Sequence, residues 1–97
     1  MSALMIATFT VKDPDKFAEY AAKAKPTWSS LGAEALYRGR PKKVLTGGET
    51  DHEVLVVFKF PSLEAIEEWY DSDAYEPLKP LRQEGADFRM TAYEILD

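Results

Sequence analysis

Val54-Leu55-Val56-Val57-Phe58-Lys59-Phe60, closed by Pro61-Ser62, is the stretch around which the rest of this 97-residue chain is read. Side chains alternate across a strand, so Val54, Val56, Phe58 and Phe60 share one face. Glu53, Leu55, Val57 and Lys59 share the other. The first face is apolar throughout, and the second has an apolar centre between charged ends. A strand wetted on one side would carry polar residues at Leu55 and Val57, so both faces of this one are to be covered. Pro61 ends the strand. Ser62 has the side chain of a helix N-cap, and Glu64, Glu67 and Glu68 follow early in the helix, where the dipole favours carboxylates. Leu63, Ile66 and Tyr70, with Trp69 beside them, make the inward face. Asp71-Ser72-Asp73 interrupts this helix. Asp73 and Glu76 have capping-box spacing for a further helical turn, edged by Tyr75, Leu78 and Leu81.

Working outward, Ala3 to Val11 reads as a strand with Ala3, Met5, Ala7, Phe9 and Val11 on one face. Leu4 and Ile6 make the start of the other face apolar too. Asp13-Pro14 opens a helix, as an N-cap followed by proline at the first helical position. Phe17, Tyr20, Ala21, Ala24, Trp28 and Leu31 recur at helical spacing. Pro26 is expected to kink or split that helix, and Gly32 to stop it. A second strand spans Ala33 to Arg38, with Val44 to Thr46 as its continuation past a bulge at Gly39-Arg40-Pro41. Gly47-Gly48 marks a hairpin loop. Gly85 stops the last helix, and Phe88 to Leu96 alternates as the final strand.

The order β-α-β-β-α-β predicts an α+β, ferredoxin-like sandwich in a single domain over residues 1–97: a four-stranded antiparallel sheet with two helices on one face. A chain this short has no further element to cover Leu4, Ile6, Leu55 and Val57. A second copy of the chain is the simplest cover, which predicts a homodimer joined through its sheet faces.

Composition narrows the function. The net charge of -5 and the absence of a long basic run argue against nucleic acid as a partner. Lys42 and Lys43 beside Arg38 and Arg40 make only a short cluster. No stretch approaches the length of a membrane span, and no secretory signal is visible, so a cytoplasmic location is expected. The absence of cysteine removes thiolate ligands and nucleophiles. Asp51, His52 and Glu53 are adjacent and would point to opposite faces of a strand, so no metal site is expected. No cofactor motif is present, and no serine has a neighbouring histidine.

Asp13-Pro14, Tyr20, Gly32, Arg38-Gly39, Gly47, Phe60-Pro61-Ser62, Ala65, Trp69-Tyr70, Ser72, Tyr75 and Arg82 together resemble the small bacterial family known as domain of unknown function 1330, of the dimeric α/β-barrel superfamily. The likeness covers nearly the whole chain, and its most specific part is Pro-Ser-x-Glu-Ala, then Trp-Tyr-x-Ser, then Leu-Arg. It implies a ferredoxin-like subunit whose sheet meets a partner sheet to close a barrel. It implies no reaction, although related families include cofactor-free monooxygenases, lactone isomerases and haem-degrading enzymes. The chain departs from the pattern at Arg40, where a second glycine is usual, and at Asp73-Ala74, where Pro-Glu is common.

The candidate ligand-binding residues are Tyr20, Arg38, His52, Trp69, Tyr70, Tyr75 and Arg82. Guanidinium groups hold carboxylates or phosphates in a two-pronged geometry, so Arg38 and Arg82 would anchor an acidic group. The aromatic residues would wall a pocket for a small organic molecule. His52, the one histidine, would be an acid or base at the barrel mouth, on the same face as Val54. The competing expectation is a non-catalytic dimerisation or interaction module: the aromatics fill a core, the arginines pair with carboxylates such as Glu64, Glu67 or Glu94, and His52 is an exposed loop residue. An enclosed cavity reached by both Arg38 and Tyr70 would favour the first, and a solid core with both arginines paired to carboxylates the second. Should the protein be an enzyme, chemistry without a cofactor fits best.

Overall fold

The strand β1, Ala3–Val11, lies at the middle of the sheet in the computed structural model, which describes residues 2–96. It pairs antiparallel with β3, Val54–Phe60, on one side and with β4, Ala86–Glu94, on the other. The fourth strand, β2, Glu34–Gly39, pairs antiparallel with the outer edge of β3, giving the order β2-β3-β1-β4. The helices are α1, Pro14–Ser29, α2, Leu63–Tyr70, and α3, Lys79–Gly85, with a 3-10 turn over Glu76–Leu78 leading into α3. This is the ferredoxin-like arrangement, with three helices where two were expected.

The register explains the two faces. Met5 sits opposite Phe58 and Ala92, and Ala7 opposite Val56 and Met90; these side chains meet the helices. The core joins Ala3, Met5, Ala7 and Phe60 of the sheet to Tyr20, Ala24, Ile66, Trp69, Tyr75 and Leu78. On the opposite face Ile6 lies between Val57 and Thr91, and Leu4 between Lys59 and Tyr93. Among the described residues no helix covers that face, and Tyr37, Leu55 and Tyr93 on it are 73%, 38% and 49% exposed.

Local chemistry sets the element ends. The Asp13 carboxylate accepts from the N–H groups of Asp15 and Lys16 at the start of α1, and the Ser62 hydroxyl accepts from Ala65 N–H at the start of α2. Gly32 has φ of +83°, the left-handed turn that glycine allows after a helix.

Several expectations are corrected. Pro26 does not split α1: it falls in the last turn, where few intrahelical bonds remain to lose, and the Thr27 hydroxyl donates to Ala24 C=O there. The bulge in β2 lies between Ala35 and Tyr37, not at Gly39-Arg40-Pro41. Val44–Thr46 does not continue the strand, and residues 40–53 form an irregular loop. Pro41 offers no N–H to a ladder there, and Gly47 and Gly48 turn the chain at φ of +95° and +85°. Asp73 does not cap the turn after α2. Ser72 serves instead, with its hydroxyl donating to Trp69 C=O and accepting from Tyr75 N–H. The last strand begins at Ala86 and ends at Glu94, two residues earlier than expected at each end.

Candidate functional site

Four of the seven candidate residues meet between α1, α2 and α3, and a fifth, Trp69, closes the group. Ser72 tightens the chain after α2 so that Tyr75 folds back under Trp69, their ring centres 4.2 Å apart. Tyr75 is completely buried. Its hydroxyl lies 2.7 Å from that of Tyr20, which α1 brings in from the other side, and it accepts from Arg82 Nη1 at 3.0 Å. Arg82 Nη2 donates to the Tyr70 hydroxyl at 3.4 Å. The Trp69 indole N–H donates to Thr27 Oγ1 at 2.9 Å. Lys79 sits over the Tyr70 ring, 3.9 Å from its centre, and the hydrogen bond from Lys79 to Glu76 raises the lysine pKa.

Arg82 is 9% exposed and forms no ion pair among the described residues. Its hydrogen-bond partners are neutral phenols, and they take two of the five guanidinium donors. Burial by itself would lower the Arg82 pKa; the bonds to Tyr75 and Tyr70 outweigh it, and the net direction is up. For Tyr20, burial and the contact with Tyr75 push the phenol pKa far above its usual range, so this hydroxyl keeps its proton.

Two cavities flank Trp69. One, of about 380 Å³, is bounded by α2, α3, β1 and β4 and lined by Trp69, Tyr70 and Arg82, with Glu67 and Asp71 also on its wall. The other, of about 320 Å³, lies beneath α1 and is lined largely by apolar groups, including Ala7, Ala21, Ala24, Ala35, Phe58 and Trp28. Tyr20, Lys25 and Arg38 also line it. Met5, Trp69, Phe88 and Met90 line both. Arg38 therefore does not join Arg82. The β2–β3 register puts Arg38 opposite Val56 on the helix side of the sheet, at the cavity beneath α1, and the β2 bulge places it there.

His52 stands apart from this group and is neither an exposed loop residue nor on the face of Val54. It precedes the first residue of β3, so strand alternation does not govern it. It turns to the open sheet face, where Nδ1 meets the Thr8 hydroxyl at 2.8 Å and Nε2–H donates to the Asp87 carboxylate at 3.2 Å. It is buried there, beside a hollow of about 480 Å³ that also includes Arg40, Asp51 and Arg89. Thr8, Thr27, Lys25 and Asp87 were not among the candidates. Thr8, Thr27 and Asp87 bond across a long sequence separation, Lys25 is known only from the cavity it lines, and nothing local in the sequence marks them.

The structure therefore meets neither extreme of the sequence-based alternative. Cavities are present, but Arg38 and Tyr70 line different ones. The aromatics pack in the core, yet Arg82 is bound to phenols and not to carboxylates. No helix of the described residues is long and apolar enough to cross a membrane.

The sheet order, the helices on one face and the tyrosine–arginine cluster beneath them define an α+β protein of ferredoxin-like fold. Solved structures of the same fold bear this out. A protein of unknown function from Rhodopseudomonas palustris, RPA0582, superposes with a TM-score of 0.79 at 20% identity, covering 99% of this chain and 83% of that one. A dimeric ferredoxin-like protein of unknown function from Jannaschia gives a TM-score of 0.67 at 7% identity, covering 98% of this chain and 100% of that one. SnoaB, a cofactor-independent oxygenase from Streptomyces nogalater, gives 0.68 at 9% identity, covering 99% and 94%. At these identities the likeness is one of fold. The chain belongs to the family described as domain of unknown function DUF1330, whose profile matches residues 2–96. No protein of curated function matches it.

Proposed function

We propose that this protein is a homodimer that binds a small aromatic or apolar carboxylic acid between the helices and the sheet of each subunit, beside Arg82. One observation carries the ligand: a guanidinium buried to nine-tenths, lining a cavity and in no ion pair among the described residues, although Glu67 and Asp71 stand on the same wall. Buried charges in proteins are normally paired, because desolvation is costly when nothing offsets it. The phenols of Tyr70 and Tyr75 orient the fork but do not neutralise it. A ligand carboxylate on the remaining donors would, with its apolar part against Trp69, Met5 and Met90. The donors at this site are a guanidinium and phenols, which bind and polarise an oxygen of a bound acid; any turnover would run on these side chains without a cofactor.

The dimer would form through the open sheet face. Leu4, Ile6, Leu55, Val57, Tyr37 and Tyr93 make that face apolar at its centre. The Jannaschia protein of the same fold is described as dimeric.

The test is the melting temperature of the wild type, Arg82→Gln and Arg38→Gln with benzoate, phenylacetate and naphthoate, and with the corresponding amides. Carboxylates are expected to stabilise the wild type and Arg38→Gln, and to leave Arg82→Gln unshifted. The amides are expected to stabilise none of them. Equal stabilisation of Arg82→Gln by the carboxylates would overturn this assignment.

A further inference from the structure

We propose that Tyr20 donates a hydrogen bond to a phenolate or carbonyl oxygen of a molecule held in the cavity beneath α1, and that Arg82 imposes this direction through Tyr75. The proposal rests on the reading that the space between helices and sheet takes small organic molecules. It adds a second recognition point to that space, in a different cavity and for a different chemical group.

The inference follows from counting hydrogens. A guanidinium has no acceptor, so the bond between Arg82 and Tyr75 runs one way, from Nη1–H to the Tyr75 oxygen. Tyr75 and Tyr20 then share a single hydrogen across 2.7 Å. If Tyr20 supplied it, the Tyr75 hydrogen would be left without an acceptor in a side chain that is completely buried, which is the costly arrangement. If Tyr75 supplies it, the chain Arg82→Tyr75→Tyr20 is satisfied at every link and the unspent hydrogen is on Tyr20. Among the described residues the Tyr20 hydroxyl has no partner other than Tyr75. Tyr20 is also the member of this chain that lines the cavity beneath α1; Tyr75, Arg82 and Tyr70 do not. Successive hydrogen bonds polarise one another, so a donor that ends a chain begun by a cation is a strong one.

The rest of the cavity agrees with the oxygen being an anionic one. Lys25 and Arg38 line it, and neither is paired with a carboxylate among the described residues. The walls formed by Trp28, Phe58 and the alanines suit an aromatic ring. Arg82 is a positioning residue here: it does not touch the molecule but fixes which way the chain points.

The probe for the test is 4-nitrophenol, whose phenolate absorbs in the visible, titrated against the wild type, Tyr20→Phe and Tyr75→Phe. Binding beneath α1 is located by shifts of the Trp28 indole and Ala24 methyl resonances. The bound probe is expected to ionise about one pH unit lower in the wild type than in Tyr20→Phe, a tenfold change in its ionisation equilibrium. Tyr75→Phe, which cuts the chain and leaves Tyr20 in place, is expected to lie between the two. Equal ionisation in the wild type and Tyr20→Phe overturns the donor role. Equal ionisation in the wild type and Tyr75→Phe overturns the role of Arg82, and serves as the deciding arm should Tyr20→Phe not fold. Failure of nitrophenol to bind the wild type overturns the proposal outright, while stabilisation by carboxylates through Arg82 stands or falls on its own test.

Discussion

Replacing Tyr75 with phenylalanine isolates the hydrogen-bonded part of the cluster from its packing. The ring stays against Trp69 and Tyr70, while the hydroxyl that joins Arg82 to Tyr20 is removed. The bond from Arg82 is charge-assisted, a type that contributes about 1.5–3 kcal/mol net, and the bond to Tyr20 about 1 kcal/mol. Neither freed group gains a new partner in this buried position, and one of them is a cation. The expected loss is about 3 kcal/mol, or roughly 12–24 °C in melting temperature for a domain of this size. Urea unfolding and calorimetry measure both. The cycle with Tyr20→Phe is sharper: because each single variant already breaks the shared bond, the double variant should fall short of additivity by about 1 kcal/mol. A melting temperature within a few degrees of the wild type, or strict additivity, would refute the view of these side chains as one network.

Other perturbations probe other parts of the molecule. Tyr20 holds its proton in the folded state to far higher pH than when unfolded, so above pH ~10 the folded chain binds more protons and stability falls as pH rises, by up to about 1.4 kcal/mol per unit. Below that pH the contribution is constant; urea unfolding between about pH 9 and 11 should show the slope reduced in Tyr20→Phe, and an unchanged slope would count against it. Gly85→Ala would place a Cβ 2.8 Å from the Phe17 backbone nitrogen, a clash with main chain that is expected to cost about 1–3 kcal/mol in chemical unfolding. Val57→Lys, at the centre of the open face, should give a folded monomer by light scattering where the wild type is expected to run as a dimer; a wild type that is a stable monomer at micromolar concentration would remove the sheet-to-sheet contact.

The fold was legible because its signals are local. Alternation at 54–60 and 3–11, the Asp13 and Ser62 caps and the Gly32 stop each act within a few residues, and each appears where expected. What misled were residues whose role depends on a competitor. Asp73 with Glu76 has the spacing of a cap, but Ser72 reaches both Trp69 C=O and Tyr75 N–H first. Val44–Thr46 is apolar enough for a strand, yet it offers no register to β3 across a loop containing Pro41 and two left-handed glycines.

The site was half legible. Trp69, Tyr70, Tyr75, Arg82 and Tyr20 do converge, since the first four follow one another along α2, the turn after it and α3, and the fifth is brought in by helix packing. Arg38 shares a cavity with Tyr20 and Trp69 but not with Tyr70 or Arg82, because a bulge invisible in the sequence decides which cavity that strand edge serves. His52 was misplaced because it lies just outside the strand whose alternation was used to orient it. Its partners Thr8 and Asp87 are 44 and 35 residues away.

The cavity beneath α1 is made by omission. Ala7, Ala21, Ala24 and Ala35 stand around it where longer aliphatic chains would close the gap. The substitution Ala24→Leu alone would bring about three more carbons out of water, at about 0.8 kcal/mol for each that is fully buried. That is a large increment for a domain whose total stability is expected to be about 5–15 kcal/mol. A chain with alanine at these positions forgoes that stability and retains space. Filling the space tells structural economy from use. If Ala24→Leu melts higher and the protein still takes up nitrophenol, the hollow is a packing defect. If it melts higher and takes up none, the hollow is volume held open for a guest.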